Sequence, residues 1–76
     1  MDVRERALGI IAEISGKEVA EVAPHHALVG DLGIDSPKAL QLLVQIEETL
    51  GIEISDEEAA RMDSVKDILA FLEQRS

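Results

Sequence analysis

Ser36 is the residue in this sequence best placed for chemistry. It closes the run Gly30-Asp31-Leu32-Gly33-Ile34-Asp35-Ser36, precedes Pro37, and stands at the head of an apolar-periodic segment. A serine in that position reads as a helix N-cap, with the proline suited to the first helical position. The same position suits a serine that accepts a phosphate-linked group. Such a hydroxyl must be exposed, and a phosphodiester formed on it meets the positive end of the helix dipole and the free N–H groups of the first turn. Leu32 and Ile34 can anchor the loop before it, and Gly33 can supply a turn of positive φ. Local chemistry leaves capping alone and modification both open.

Other reactive arrangements are thinner. His25 and His26 follow Pro24 in the same connection, with Asp31 the nearest acid in sequence. They read as a solvated loop pair, since a metal site needs further ligands. Asp35 adjoins Ser36, but neighbours at a helix start point in different directions, and no histidine is placed to act as a base. The glycines do not form a phosphate-cradling loop. The chain has no cysteine, so it has neither disulfides nor thiolate metal ligands. No catalytic or metal-binding residue is assigned, and the chain is not expected to be an enzyme.

The elements that must position Ser36 are helical. Val3, Ala7, Leu8, Ile10, Ile11 and Ile14 give residues 2–15 an amphipathic spacing, ended by Ser15 and Gly16. Residues 17–35 form a long connection whose Val19, Val22, Leu28, Val29, Leu32 and Ile34 should pack onto the helices. Residues 36–50 read as the second helix, stopped by Gly51. Ser55 and Glu58 form a capping box for a short third helix at about 56–61. Ser64 and Asp67 open the last, where Val65, Ile68, Leu69 and Leu72 recur at helical spacing. Strand signals are weak, with only Gly51-Ile52-Glu53-Ile54 alternating briefly. The expected fold is all-α: a small four-helix bundle with a long first connection and a short third helix, residues 1–76 forming one domain. Its core is aliphatic, with Phe71 the one aromatic residue.

At about 100° per residue, Ala39, Leu42, Leu43, Ile46 and Leu50 share the core-facing stripe of the second helix. Pro37, Leu40 and Val44 cluster on another flank, beside Ser36. That flank suits either ordinary packing or a docking patch. Lys38, Gln41, Gln45 and Glu48 complete the polar side. Residues 47–58 hold six acids and no base: Glu47, Glu48, Glu53, Asp56, Glu57 and Glu58. The last three suit a helix start, whereas Glu47 and Glu48 lie near a helix C-terminus that disfavours acids. Those two read as kept for a basic partner.

The net charge of -9 argues against nucleic acid and against anionic membrane surfaces as partners. It favours basic protein surfaces. No apolar run approaches the ~20 residues of a membrane span, and the opening Met-Asp-Val-Arg-Glu-Arg lacks a signal peptide's apolar stretch. A cytoplasmic location is expected.

The run Asp31-Leu32-Gly33-Ile34-Asp35-Ser36, followed by an apolar helix ending Ile46-Glu47-Glu48-Thr49-Leu50-Gly51-Ile52-Glu53-Ile54, resembles the acyl carrier protein family. The opening helix, the Val-Ala-Glu-Val stretch and the closing Ser-Val-Lys-Asp-Ile-Leu helix fall in matching order, so the resemblance covers nearly the whole chain. It implies four helices with a short third. It implies 4'-phosphopantetheine attached covalently to Ser36, its terminal thiol holding acyl groups as thioesters. The implied partners are a phosphopantetheinyl transferase and acyl-chain synthases and transferases with basic docking surfaces. They would be met by Asp35, Pro37, Leu40, Val44, Glu47 and Glu48. The resemblance also implies that the regions of Val29, Ile54, Ala59 and Met62 line an interior that takes up the acyl chain, although an aliphatic core packed without a cavity fits the residues equally well. It implies a free-standing carrier, expected to be monomeric, in fatty acid or related acyl-chain synthesis. Aminoacyl or polyketide cargo, or an unmodified helical interaction module, are the alternatives. Two departures stand out: Pro37 where the family usually has leucine, and Lys38 and Gln41 where acids are frequent.

Overall fold

The computed structural model describes residues 2–75 of the chain. Helix α1 spans Val3–Ser15, α2 Ser36–Leu50, α3 Asp56–Ala60 and α4 Val65–Arg75, with a single 3-10 turn at Val19–Glu21 in the long connection. The expected all-α four-helix architecture and the short third helix are what the structure has. The brief alternation after Gly51 forms no strand among the described residues, where the one ladder pair is an isolated bridge between Ala27 and Ser64.

Each helix start is set by side-chain chemistry. Asp2 caps α1 by accepting from the Glu5 N–H at 2.8 Å. Ser55 and Glu58 make the reciprocal capping box of α3, both bonds 3.1 Å long. The Ser64 hydroxyl accepts from Asp67 N–H at 3.3 Å, while the Asp67 carboxylate accepts from the Asp63 and Ser64 N–H groups. These bonds satisfy donors that a helix start otherwise leaves without partners. Helices α1 and α2 both end at a glycine in the left-handed conformation, Gly16 at φ 73° and Gly51 at φ 67°.

The core is aliphatic. Ile11, Ile34, Leu42, Ile46, Val65 and Ile68 are its largest fully buried side chains. On α2 the expected stripe faces inward: Leu42 and Ile46 are fully buried, and Ala39, Leu43 and Leu50 pack partly buried against the cluster. The long connection contributes Val22, Leu28, Leu32 and Ile34. Its other two apolar residues do not pack inward as expected: Val19 and Val29 are 50% and 69% exposed. For Val29 the reason is a local coil. Asp31 N–H donates to Ala27 C=O and Gly33 N–H to Val29 C=O, so the chain turns at a helix-like pitch. Leu28 and Leu32, four apart, then share the inner side, and Val29 falls outside it.

One tie holds this connection to the far end of the chain. The N–H groups of Val65 and Lys66 donate to the carbonyls of His26 and Pro24, and Leu28 N–H donates to Asp63 C=O. The first turn of α4, whose amides lack intrahelical acceptors, is thereby closed by the loop that leads to Ser36.

Candidate functional site

Ser36 is exposed and is the first helical residue of α2. It is not the cap. Asp35 holds that position, in an extended conformation (φ -75°, ψ -179°), and its Oδ1 accepts from Lys38 N–H at 3.1 Å. Its carbonyl takes the first helical bond, from Ala39 N–H at 2.7 Å. The expectation of a Ser36 cap with Pro37 at the first helical position therefore shifts by one residue. Asp and Ser are equally good caps, but only Asp brings a charge that favours the dipole, and it stands one residue earlier. The Ser36 hydroxyl makes no hydrogen bond among the described residues and is left for other chemistry.

The first turn is also a poorer anion cradle than the sequence suggests. Pro37 has no N–H, and the Lys38 N–H is engaged by Asp35. Of the first three helical positions, Ser36 alone keeps an uncommitted amide. A phosphodiester on Ser36 would meet the dipole and a single N–H, with the Asp35 carboxylate as its neighbour. The geometry presents such a group to solvent instead of enclosing it.

The base beneath it is firm. Ile34 is fully buried and Leu32 is 4% exposed. Between them Gly33 adopts φ 67°, where a side chain would be strained. The Asp31 carboxylate accepts from Ala27 N–H at 2.7 Å and braces the loop. An exposed, unengaged hydroxyl on a braced backbone fits the covalent attachment of a phosphate-linked arm.

Beside Ser36, the flank of α2 is open. Pro37 is exposed, Leu40 is 65% and Val44 41% exposed. With Gln41, Gln45, Glu48 and Thr49 they line a shallow groove. Ordinary packing, one of the two readings of this flank, does not occur. Glu48 is exposed at its far end. Glu47 is different: it is half-buried, and its Oε2 accepts from Ile54 N–H at 2.8 Å. It therefore braces the connection from α2 to α3, a role that explains its place at a helix end without a partner. The bond spans seven residues across the Gly51 turn, so no helical spacing announces it.

The remaining candidates form no metal-binding group among the described residues. His26 Nδ1 accepts from Ala23 N–H at 3.1 Å, and His25 packs against its ring edge-on at 4.7 Å. Of the residues thought to line an interior, Met62 is buried and Ile54 and Ala59 are half-buried, but Val29 is turned outward.

Comparison with known proteins agrees with this geometry. Residues 5–72 match a family model described as a phosphopantetheine attachment site. An acyl carrier protein from Solidesulfovibrio magneticus is 40% identical over 75 residues, covering 99% of this chain and 96% of that protein. One from Rickettsia bellii is 26% identical over 73 residues, covering 96% of this chain and 85% of that protein. A solved structure from Mycobacterium tuberculosis, described provisionally as an acyl carrier protein, superposes with a TM-score of 0.91 at 27% identity, covering 99% of this chain and 100% of that one.

Proposed function

The chain belongs to the acyl carrier proteins with a phosphopantetheine attachment domain, and from that premise we propose that Ser36 is the residue that bears the arm. Members of this family are carriers and not enzymes, and their cofactor, 4'-phosphopantetheine, is carried on a serine. When bound it supplies a terminal thiol that holds acyl groups as thioesters. The observation that carries the assignment to Ser36 is its exposed hydroxyl, released from capping by Asp35.

In the proposed modification the Ser36 oxygen bonds to the pantetheine-bearing phosphorus of coenzyme A. The pyrophosphate P–O bond breaks, adenosine 3',5'-bisphosphate leaves, and the hydroxyl proton passes to a base on the transferase. This chain's contribution is positional: Asp35 fixes the helix start, and Leu32 and Ile34 hold the loop still. Residues 1–76 act as one carrier domain, monomeric and cytoplasmic, that takes acyl intermediates between the synthases and transferases of fatty acid or related synthesis. Those partners dock over Pro37, Leu40 and Val44, with basic groups toward Glu48 and, from its braced position, Glu47. Asp35 adds charge beside the arm. The open groove and its acidic far end support this reading. Among the described residues no helix is long and apolar enough to cross a membrane.

Intact-mass measurement after incubation with a broad-specificity phosphopantetheinyl transferase and coenzyme A tests the assignment. The mass gain of one phosphopantetheine is expected for the natural chain and for Ser64→Ala, and is lost in Ser36→Ala. A gain that survives Ser36→Ala removes Ser36 from the role. No gain in any variant favours an unmodified interaction module.

A further inference from the structure

We propose that Lys38 selects the partners of this carrier, admitting those that place an acidic side chain over the Ser36 end of α2 and disfavouring those with a uniformly basic docking face. The inference rests on Ser36 as the attachment residue.

Lys38 is exposed and is the only basic residue in the α2 segment 36–50. Its ammonium forms no ion pair among the described residues; only its backbone N–H is engaged, by Asp35. It stands in the first turn, where the dipole opposes a cation and favours an acid. Helix stability therefore gives no reason for a lysine there. Nor does burial, since Lys38 is exposed. What the position does offer is proximity: Lys38 is two residues from the serine, so a transferase acting on the Ser36 hydroxyl must bring its surface close to it.

The charge along α2 is then bipolar. Within the helix itself a cation stands at the serine end, next to the capping carboxylate of Asp35 that it offsets, and Glu48 is exposed ten residues on, about 15 Å along the axis at 1.5 Å per residue. A face of uniform basic charge gains against Glu48 and loses against Lys38. A face with a carboxylate near the mouth of its active site and a base about 15 Å away gains at both ends. Net attraction between this acidic chain and basic surfaces brings partners to it. Lys38 sorts them on arrival, because a misplaced like charge at a rim acts mainly on association and is sensitive to salt.

The test compares the natural chain with Lys38→Gln and Lys38→Glu as substrates of a phosphopantetheinyl transferase whose docking face is basic. Each is assayed for kcat and KM at low and at high ionic strength, with Ser36→Ala as the blank. Both variants should fold, since the position is exposed and an acid in the first turn is favoured; circular dichroism checks this. Lys38→Glu should raise kcat/KM about 3- to 10-fold at low salt, the scale of exposed charge pairs. Lys38→Gln should fall between, the change should lie in KM, and high salt should erase most of it. Equal kcat/KM for all three chains overturns the inference while leaving the carrier assignment in place. So does a gain confined to kcat and indifferent to salt, which marks a structural effect. If none of the three chains is modified, the assignment of Ser36 fails and the inference falls with it.

Discussion

Substituting alanine for Asp35 and for Ser36, one at a time, separates the cap from the hydroxyl. The Asp35 carboxylate satisfies the Lys38 N–H at 3.1 Å. Loss of an N-cap of this kind costs about 1 kcal/mol, within a range of about 0.5–2. Loss of the negative charge at the dipole's positive end adds a few tenths, because the residue is exposed and the charge is screened. Asp35→Ala should therefore destabilise by about 1–1.5 kcal/mol. In a domain of this size each kcal/mol moves the melting temperature by about 4–8 °C, so a fall of roughly 4–12 °C is expected. Ser36→Ala removes no hydrogen bond seen in the structure and exchanges serine for a better helix former, so its stability should stay within about 0.5 kcal/mol of the natural chain. Asp35→Asn keeps a good cap and loses only the charge, so it should lie close to the natural chain. Thermal unfolding followed by circular dichroism, with urea denaturation as a second measure, reads all three. If Ser36→Ala loses as much as Asp35→Ala, Ser36 shares the capping role and the free-hydroxyl argument is wrong.

Three further outcomes follow from the same geometry. Glu47→Ala should cost about 1 kcal/mol by leaving Ile54 N–H without its acceptor, whereas Glu48→Ala should stay within about 0.5; urea midpoints compare them, and equal losses would contradict the brace. Gly9 lies inside α1 with nothing within 4 Å of an added Cβ, so Gly9→Ala should stabilise by about 0.5–1 kcal/mol. Gly33 has equal room but φ 67°, so Gly33→Ala should instead lose about 1–2 kcal/mol, and identical shifts in melting temperature would refute the distinction. With a net charge of -9, the chain should melt higher as salt or a divalent cation is added, and a flat titration would show that self-repulsion is minor.

Much of this was legible in residue order, for identifiable reasons. The boundaries of α2 follow from Ser36-Pro37 and Gly51, because helix ends are local events with strong residue preferences. The Ser55–Glu58 box was legible because both of its bonds close within one turn. The identity of the α2 cap was not: Asp35 and Ser36 are adjacent and both suited, and only the backbone decides between them. The outward turn of Val29 was hidden because its loop coils without the composition of a helix. Glu47 was assigned to partners alone because its bond to Ile54 depends on how the chain reverses at Gly51. The tie between Pro24–Leu28 and Asp63–Lys66 is made of backbone groups remote in sequence, and no residue type signals it.

That tie has a mechanical consequence. It joins the two ends of the segment containing Ser36, α2 and α3, much as a buckle closes a strap. A pull on Ser36 would travel back through the buried Ile34 and Leu32 to the buckle. Across the strap lies α3, five residues long with none buried, and local opening is cheapest where little apolar surface is covered. The molecule therefore has a stiff side behind Ser36 and a compliant side at α3, where local opening costs least.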